Sequence, residues 1–127
     1  MGLTHVPVTV SNFITRDSFT ANFLIDTGAT DSMAPASELK RIGIEPVGTR
    51  MYELANGQTA EFEVGDAKVS FLEETIPLRF IFGPDGSEPI LGVIALESAG
   101  LVVDPKNQML TRIPRFKLKA IAELAKR

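Results

Sequence analysis

The stretch that most constrains the fold of this chain is residues 23–30, which read FLIDTGAT. Three apolar residues are typical of the end of a buried strand, yet the carboxylate of Asp26 follows them directly. Burying an unpaired charge is costly, so an acid at this point needs a reason. Gly28 allows the chain to turn sharply below the acid, because glycine adopts backbone conformations that other residues avoid. The stretch therefore predicts one carboxylate held at the tip of a rigid strand, a placement suited to a catalytic group.

Short, alternating strand patterns surround this stretch. Residues 6–10 place Val at every second position, with Pro7 and Thr9 between, and residues 19–25 alternate up to Asp26. This period of two is typical of half-buried strands, and Pro7, which has no N–H to donate, places the first strand at a sheet edge. Many short strands at this spacing predict an all-β domain with a closed or nearly closed sheet. Further strand patterns occupy residues 67–72, 75–82, 101–103 and 108–113.

Two short helices are predicted between the strands. Residues 35–42 begin with Pro35, whose fixed φ suits the first helical position, and Gly43 follows them as a helix stop. Residues 93–99 form a second short helical pattern, which Gly100 ends. We therefore expect helices to be minor elements of a β domain.

A hairpin is predicted where residues 47–54 and 59–64 flank an Asn56-Gly57 pair. Asn-Gly between strands is a strong hairpin signal, because both central residues of a type I′ turn need positive φ. Tyr52, the single tyrosine of the chain, lies on the first arm. Two interpretations of Tyr52 stay open: a bond to the loop that carries the acid, or packing across the hairpin.

Length and composition narrow the function classes. The chain has 127 residues, which suits one domain, and no cysteine, which excludes disulfides, thiolate catalysis and cysteine metal sites. His5 is the single histidine, so a Ser-His triad or a histidine-based metal site is not expected, and we place His5 at the surface. We predict no metal and no cofactor.

Charge and hydropathy allow predictions about binding partners, membrane spans and cellular location. The net charge of -3 at pH 7 argues against a nucleic-acid partner. No apolar run reaches the roughly 18 residues that span a bilayer, so we expect no membrane span. The first residues lack the basic region and apolar stretch of a secretory signal. We therefore expect a soluble, cytoplasmic protein.

The acid-bearing stretch and a segment farther along the chain together resemble a known family. Residues 26–29 (Asp-Thr-Gly-Ala) are similar to the active-site motif of aspartic proteases. Residues 90–92 (Ile-Leu-Gly) and the helical pattern after them are similar to a segment of retropepsins, the single-domain aspartic proteases of retroviruses and their cellular relatives. The resemblance covers roughly residues 5–113. It implies a retropepsin-like, all-β domain, closed and barrel-like, with one or two short helices and a C-terminal helix.

We expect residues 1–114 to form the retropepsin-like domain and residues 115–127 to form a C-terminal tail. Residues 112–127 carry six Lys or Arg and one Glu, and their apolar residues recur at helical spacing. This pattern predicts a basic amphipathic helix that packs on the domain or on a partner chain. An alternative for its basic face is contact with an anionic membrane surface or an acidic partner.

Peptide hydrolysis by acids requires two carboxylates. An ionised one takes a proton from water, and a protonated one polarises the peptide carbonyl. Two carboxylates about 3 Å apart share a single proton, because both cannot ionise. The chain contains one Asp-Thr-Gly, so the second acid would come from another copy, and twofold dimers are the commonest oligomers. The resemblance likewise implies a homodimeric endopeptidase, with a polypeptide as its substrate.

The resemblance also assigns roles residue by residue. Asp26 is the catalytic carboxylate, and Thr27 and Gly28 support the active-site loop, with Thr27 bonding across the acid pair. Gly92 would let the following helix pack below this loop. The hairpin tip resembles the flap that closes over substrate in retropepsins. The residues placed against the substrate are Ala29, Thr30, Ile90, Asn56 and Gly57.

Departures from the retroviral pattern leave a second function open. Thr30 and Val93 occupy the positions of an acid and a base whose ion pair braces the retroviral dimer, and the flap is short, with Gly57 as its single glycine. These features favour the alternative of a non-catalytic peptide-binding or dimerisation module with a retropepsin fold. Asp31 has two interpretations, a carboxylate that binds a substrate end or an acid that caps a nearby helix.

Overall fold

The computed structural model describes residues 4–104, 106–107, 109–114 and 116, and within them the chain forms nine strands and two short helices. No helix in this described part has the length and apolar character needed to cross a bilayer. The strands are β1 (His5–Ser11), β2 (Ser18–Ile25), β3 (Ser32–Pro35), β4 (Gly48–Glu53), β5 (Thr59–Phe71), β6 (Glu74–Gly83), β7 (Ile90–Leu91), β8 (Leu101–Asp104) and β9 (Met109–Arg112), and the helices are α1 (Ala36–Arg41) and α2 (Val93–Ser98).

Six strands close into a ring. They pair in the order β1-β2-β7-β3-β6-β5, and β1 pairs with β5 to complete the circle, while β4 is added outside on β5. The ring includes the two-residue strand β7 and is not a regular barrel, but it confirms the predicted all-β, closed, barrel-like fold. Strands β8 and β9 form a separate hairpin. The expected edge position of the first strand is wrong, because β1 pairs with β2 along its length and with β5 at Thr9–Ser11. Pro7 lies in the part of β1 that has no β5 partner, so its missing N–H leaves no ladder bond unmade there.

The inner face of the ring is the hydrophobic core. Strand alternation buries Val6, Val8 and Val10 of β1, as expected for a period of two. Phe23 of β2 meets Phe80 of β6 edge to face at the centre, with ring centroids 6.2 Å apart and an interplanar angle of 70°. The same β2 strand ends directly before Asp26, so the core fixes the position of the acid.

The predicted helices are confirmed to within a residue or two. α1 begins after Pro35 and α2 begins after Gly92. The predicted strands before Asp26 and the last hairpin are also present. The C-terminal helix predicted for residues 115–127 lies outside the described residues, apart from residue 116, so this part of the domain division stays a prediction.

Two features of the strands differ from the sequence-based expectations. The separate strands expected at residues 59–64 and 67–72 are one strand, β5. It is continuous because its first half pairs with β4 while its second half pairs with β6, so no residue between them lacks a strand neighbour. Strands β3 and β7 were not predicted, since they span four and two residues and are too short to show an alternating pattern.

The turn expected at Asn56-Gly57 has a different geometry. Gly57 has a φ of +83°, but Asn56 is not among the residues with positive φ, so the type I′ prediction is wrong. The loop is longer than two residues, because Leu54 N–H donates to the Gln58 carbonyl at 2.7 Å and Gly57 N–H donates to the Leu54 carbonyl at 2.9 Å. The hairpin itself is present, and its tip spans residues 54–58.

The two-residue turn between β5 and β6 holds two non-glycine residues at positive φ. Leu72 has a φ of 48° and Glu73 a φ of 67°, between the paired residues Phe71 and Glu74. This is the conformation that favours Asn and Gly, because a Cβ crowds the following carbonyl there. The pairing of the two long strands therefore imposes a strained turn.

We expect Glu73→Gly to raise the free energy of unfolding by about 1 kcal/mol, since glycine adopts positive φ without this crowding. Denaturant unfolding measures the change. Glu61→Gly, at an exposed strand position of β5 without positive φ, is the matched control and should lower stability by roughly 0.5–1 kcal/mol. Equal loss of stability in both variants would contradict the strain at Glu73.

Candidate active site

Parallel pairing of β2 with β7 brings the two sequence motifs side by side. Leu24 lies opposite Ile90, and Ile25 lies opposite Leu91. The pairing continues one residue further, because Asp26 N–H donates to the Leu91 carbonyl at 3.0 Å. The backbone of the Asp-Thr-Gly motif is thus hydrogen-bonded to the backbone of the Ile-Leu-Gly motif, about 65 residues later in the chain.

The loop after β2 holds the Asp26 carboxylate by short-range bonds. Gly28 N–H donates to Asp26 Oδ1 at 2.9 Å, and Ala29 N–H donates to the Asp26 carbonyl at 3.1 Å. A Cβ at Gly28 would lie 3.2 Å from Asp26 Oδ1, so a larger residue there would crowd the acid. Asp26 is partly exposed, and Thr27 beside it is exposed. The acid is therefore oriented by its own loop and remains open to a ligand.

Helix α2 begins on the carbonyls of this loop. Val93 N–H donates to the Ala29 carbonyl at 2.8 Å, and Ile94 N–H donates to the Thr30 carbonyl at 3.2 Å. Below them, Gly92 N–H donates to the buried hydroxyl of Ser32 at 3.0 Å. These bonds satisfy amides that a helix N-terminus otherwise leaves unpaired, and α2 has no capping side chain.

Gly92 allows this contact between helix and loop. A Cβ at position 92 would lie 2.6–2.8 Å from the carbonyl oxygens of residues 29, 30 and 31, closer than real Cβ contacts. The backbone of Gly92 is extended, with φ of -90° and ψ of -179°, so any residue could adopt it. The constraint is therefore space alone, and the close packing that the resemblance implies for Gly92 is present.

We expect Gly92→Ala to lower the free energy of unfolding by about 2 kcal/mol, since the obstructing atoms belong to a rigid backbone and cannot move aside. Thermal or denaturant unfolding measures the loss. Gly48→Ala, where nothing lies within 4 Å of the added Cβ, is the matched control and should be nearly neutral. An unchanged free energy of unfolding in Gly92→Ala would contradict this prediction, because it would show that the loop can move away from α2.

The predicted substrate-contacting residues lie in three parts of the chain: the Asp26 loop, strand β7 and the tip of the β4–β5 hairpin. Ala29 and Thr30 lie in the loop beside Asp26, and Ile90 pairs with both β2 and β3 in the floor below it. Asn56 and Gly57 lie at the tip of the β4–β5 hairpin, where Asn56 bonds within its own turn. Their roles against a substrate stay predictions.

Asp31 connects the active-site loop to the hairpin, a contact that the sequence left open. The Asp31 side chain is 3% exposed, and its Oδ2 accepts hydrogen bonds from the Tyr52 hydroxyl at 2.5 Å and from Arg50 Nη1 at 3.2 Å. Asp31 therefore does not act as a helix cap. The bond of Tyr52 to the loop is present, and so is packing across the hairpin, since its ring lies 6.2 Å from that of Phe62. The signal for this contact was the spacing of Arg50 and Tyr52, two residues apart on one strand face.

The environment of Tyr52 disfavours its charged form. Burial, the hydrogen bond to Asp31 and the negative charge of Asp31, in that order, raise the pKa of Tyr52 from 10.0 to about 12, while Arg50 opposes the rise. Because the folded pKa exceeds the unfolded one, Tyr52 contributes stability below about pH 10 that is lost as pH rises toward 12.

We expect alkaline titration of the folded protein, followed by tyrosinate absorbance, to give a midpoint near pH 12, against about 10 in denaturant. Tyr52 is the single tyrosine, and the chain has no tryptophan, so the signal has one source. Asp31→Asn should lower the folded midpoint, because it removes the carboxylate charge that raises the pKa. The same midpoint in folded and denatured protein would contradict the Tyr52–Asp31 bond.

The described residues contain no group of three His, Cys, Asp or Glu side chains placed to hold a metal ion. The groups that the loop presents to a ligand include the Asp26 carboxylate and the backbone around it. A partly exposed acid at a rigid strand end can exchange a proton with a bound water or a ligand.

Comparison with known proteins identifies the family. Residues 6–95 match the family model described as aspartyl protease, and the matched region includes both the Asp26 loop and the Ile-Leu-Gly segment. The chain therefore belongs to the aspartyl protease family. No curated protein matches the chain significantly.

Two solved structures share the fold. The solution structure of simian foamy virus (mac) protease aligns with a TM-score of 0.53 and 13% identity, over 74% of this chain and 92% of that one. The foamy viral protease-reverse transcriptase, solved in complex with an RNA/DNA hybrid, aligns with a TM-score of 0.57 and 18% identity, over 98% of this chain and 14% of that one. The fold is retropepsin-like, as the sequence motifs imply.

Proposed function

We propose that the protein is an aspartic endopeptidase that works as a homodimer, with Asp26 of each copy forming the catalytic pair. The observation that carries the proposal is the bonded unit of the Asp26 loop and the Ile-Leu-Gly segment in a chain of the aspartyl protease family. This unit orients one carboxylate and leaves it accessible.

The need for a second copy follows from the acids of the chain. Catalysis by two carboxylates requires one ionised and one protonated group at close range. Asp31, the next acid after Asp26, is buried and already bonded to Tyr52 and Arg50, so it is not free to serve as the second acid. A twofold axis beside Asp26 would supply the missing carboxylate, and the exposed Thr27 would bond across the pair.

The substrate of this proposed enzyme is an extended polypeptide. Strand β4 has β5 as its neighbour on one side and an open edge on the other within the described sheet, so an extended peptide could pair with backbone groups there. Ile90 in the floor below the loop offers an apolar wall, which favours bulky apolar residues beside the cut. The paired acids would share one proton under mildly acidic conditions, which is where we expect activity.

We expect Asp26→Asn to reduce peptide cleavage by at least about a hundredfold, because an amide can neither accept nor donate the catalytic proton. The assay uses extended peptides with paired bulky apolar residues, across about pH 4 to 7, where carboxylates titrate. Asp66→Asn, an exposed acid of β5, is the matched control and should keep full activity. Equal cleavage by the parent and Asp26→Asn would refute the proposed catalytic role.

Mixing the two proteins separates a dimeric site from a monomeric one. After subunit exchange at fixed total concentration, an equal mixture of parent and Asp26→Asn should retain about a quarter of the parent activity, because only parent homodimers hold two acids. A chain that acts alone would retain about half. Peptide binding without cleavage by the parent would instead support the alternative of a non-catalytic binding module.

A further inference from the structure

The Asp31 backbone is held firmly on the active-site side. The preceding carbonyl, that of Thr30, accepts a bond from α2, and the following residue, Ser32, bonds to Gly92 through its hydroxyl. Among the residues that the structure describes, Asp31 and Ser32 are the two buried polar ones. A buried carboxylate needs donors, because leaving it unpaired is costly. Asp31 therefore provides a carboxylate acceptor at a fixed position, five residues after Asp26, and this acceptor requires hydrogen-bond donors.

The hairpin supplies the donors to this acceptor. Arg50 and Tyr52 are two residues apart in β4, so both side chains leave the same face of the strand. Beyond Val64, β5 joins the ring through β6, but residues 59–63 of β5 pair with β4 alone among the described strands. The arm made by residues 48–63 therefore projects from the ring. Side-chain contacts, together with the continuity of β5, fix where its stem (residues 48–53 and 59–63) lies.

We infer that Asp31 is a positioning residue, which holds the stem of the β4–β5 hairpin on the active-site loop through Tyr52 and Arg50 and leaves the tip at residues 54–58 as the moving part. This inference rests on the proposed function for its consequence in catalysis. The hydrogen bonds from Tyr52 and Arg50 to Asp31, which we call the tether, lie within one chain, so they place the stem before any second copy associates.

The length of the free segment suits a cover over a peptide. Tyr52 is the last tethered residue, and Asn56 at the tip lies four positions later, a span of roughly 13 Å in extended chain. Neighbouring strands lie about 4.8 Å apart, so this span exceeds the width of one extended peptide. All of residues 53–59 are exposed, so the tip is free of the packing that holds the stem.

The test compares hydrogen exchange of the stem amides in the parent, Tyr52→Phe and Arg50→Met. Tyr52→Phe removes a hydroxyl and keeps the ring packed on Phe62, so the fold is retained. We expect exchange at residues 48–53 and 59–63 to accelerate roughly tenfold in each variant, because the stem opens more often once a donor is lost. Amides of β1 and β2 should be unchanged.

Two matched controls separate the tether from general effects of these substitutions. Thr75→Val removes a hydroxyl from the Ser70–Thr75 pair on another hairpin, and Arg79→Met removes a cation from the surface pair with Asp66. Neither should alter exchange in the stem. Equal exchange of the stem in the parent, Tyr52→Phe and Arg50→Met would overturn the inference.

Measurements of KM and kcat test whether the tether affects peptide binding. For the peptide that the parent cleaves fastest, we expect Tyr52→Phe to raise KM about five- to tenfold with a smaller change in kcat, since a loose stem weakens the cover over bound peptide. An unchanged KM alongside Asp26-dependent cleavage would overturn this part of the inference. A parent without cleavage would refute the proposed function alone, because the exchange arm needs no activity.

Discussion

The candidate site depends on the close approach of Gly92 to the loop that follows Asp26. Three backbone carbonyls, those of residues 29, 30 and 31, occupy the space that a side chain at position 92 would fill. Because Gly92 has no side chain, these carbonyls can approach closely, and the first amides of α2 donate hydrogen bonds to the loop. The loop thereby gains donors for its carbonyls, and the helix gains acceptors for its unpaired amides. The loop that orients the acid and the start of the helix are thus held together by one group of hydrogen bonds.

On the proposed function, this support serves an acid that needs a second acid from another copy. The ring of strands, the core beneath β2 and the pairing with β7 all act to hold one carboxylate at one point. Nothing in the chemistry of a lone carboxylate requires so much support, whereas a pair sharing a proton requires accurate spacing. The family membership and the geometry therefore agree on a site that is shaped in each chain and, on the proposed function, completed by association.

Much of the fold follows from the residue order, because strand alternation and turn formers are local signals. The partners of Asp31 do not follow, since the period of a strand shows that Arg50 and Tyr52 share a face without showing what lies opposite. That contact joins residues 19 and 21 positions apart, so it depends on the tertiary fold and not on a local pattern. Turn geometry could not be predicted from the sequence at two places. Residues 56–57 carry the type I′ signal but form another turn, while residues 72–73 lack the signal and adopt positive φ. At residues 72–73, the pairing of Phe71 with Glu74 imposes the turn.

The bonds between Asp31 and the hairpin have a consequence for the entropy of recognition. A disordered arm would lose backbone freedom on capturing a ligand, at about 1–2 kcal/mol for each residue that becomes fixed. Here the stem loses that freedom during folding, so ligand capture would order little beyond residues 54–58. Preorganisation of this kind strengthens binding without any added contact. The buried acid beside the site would in this way improve affinity without touching the ligand.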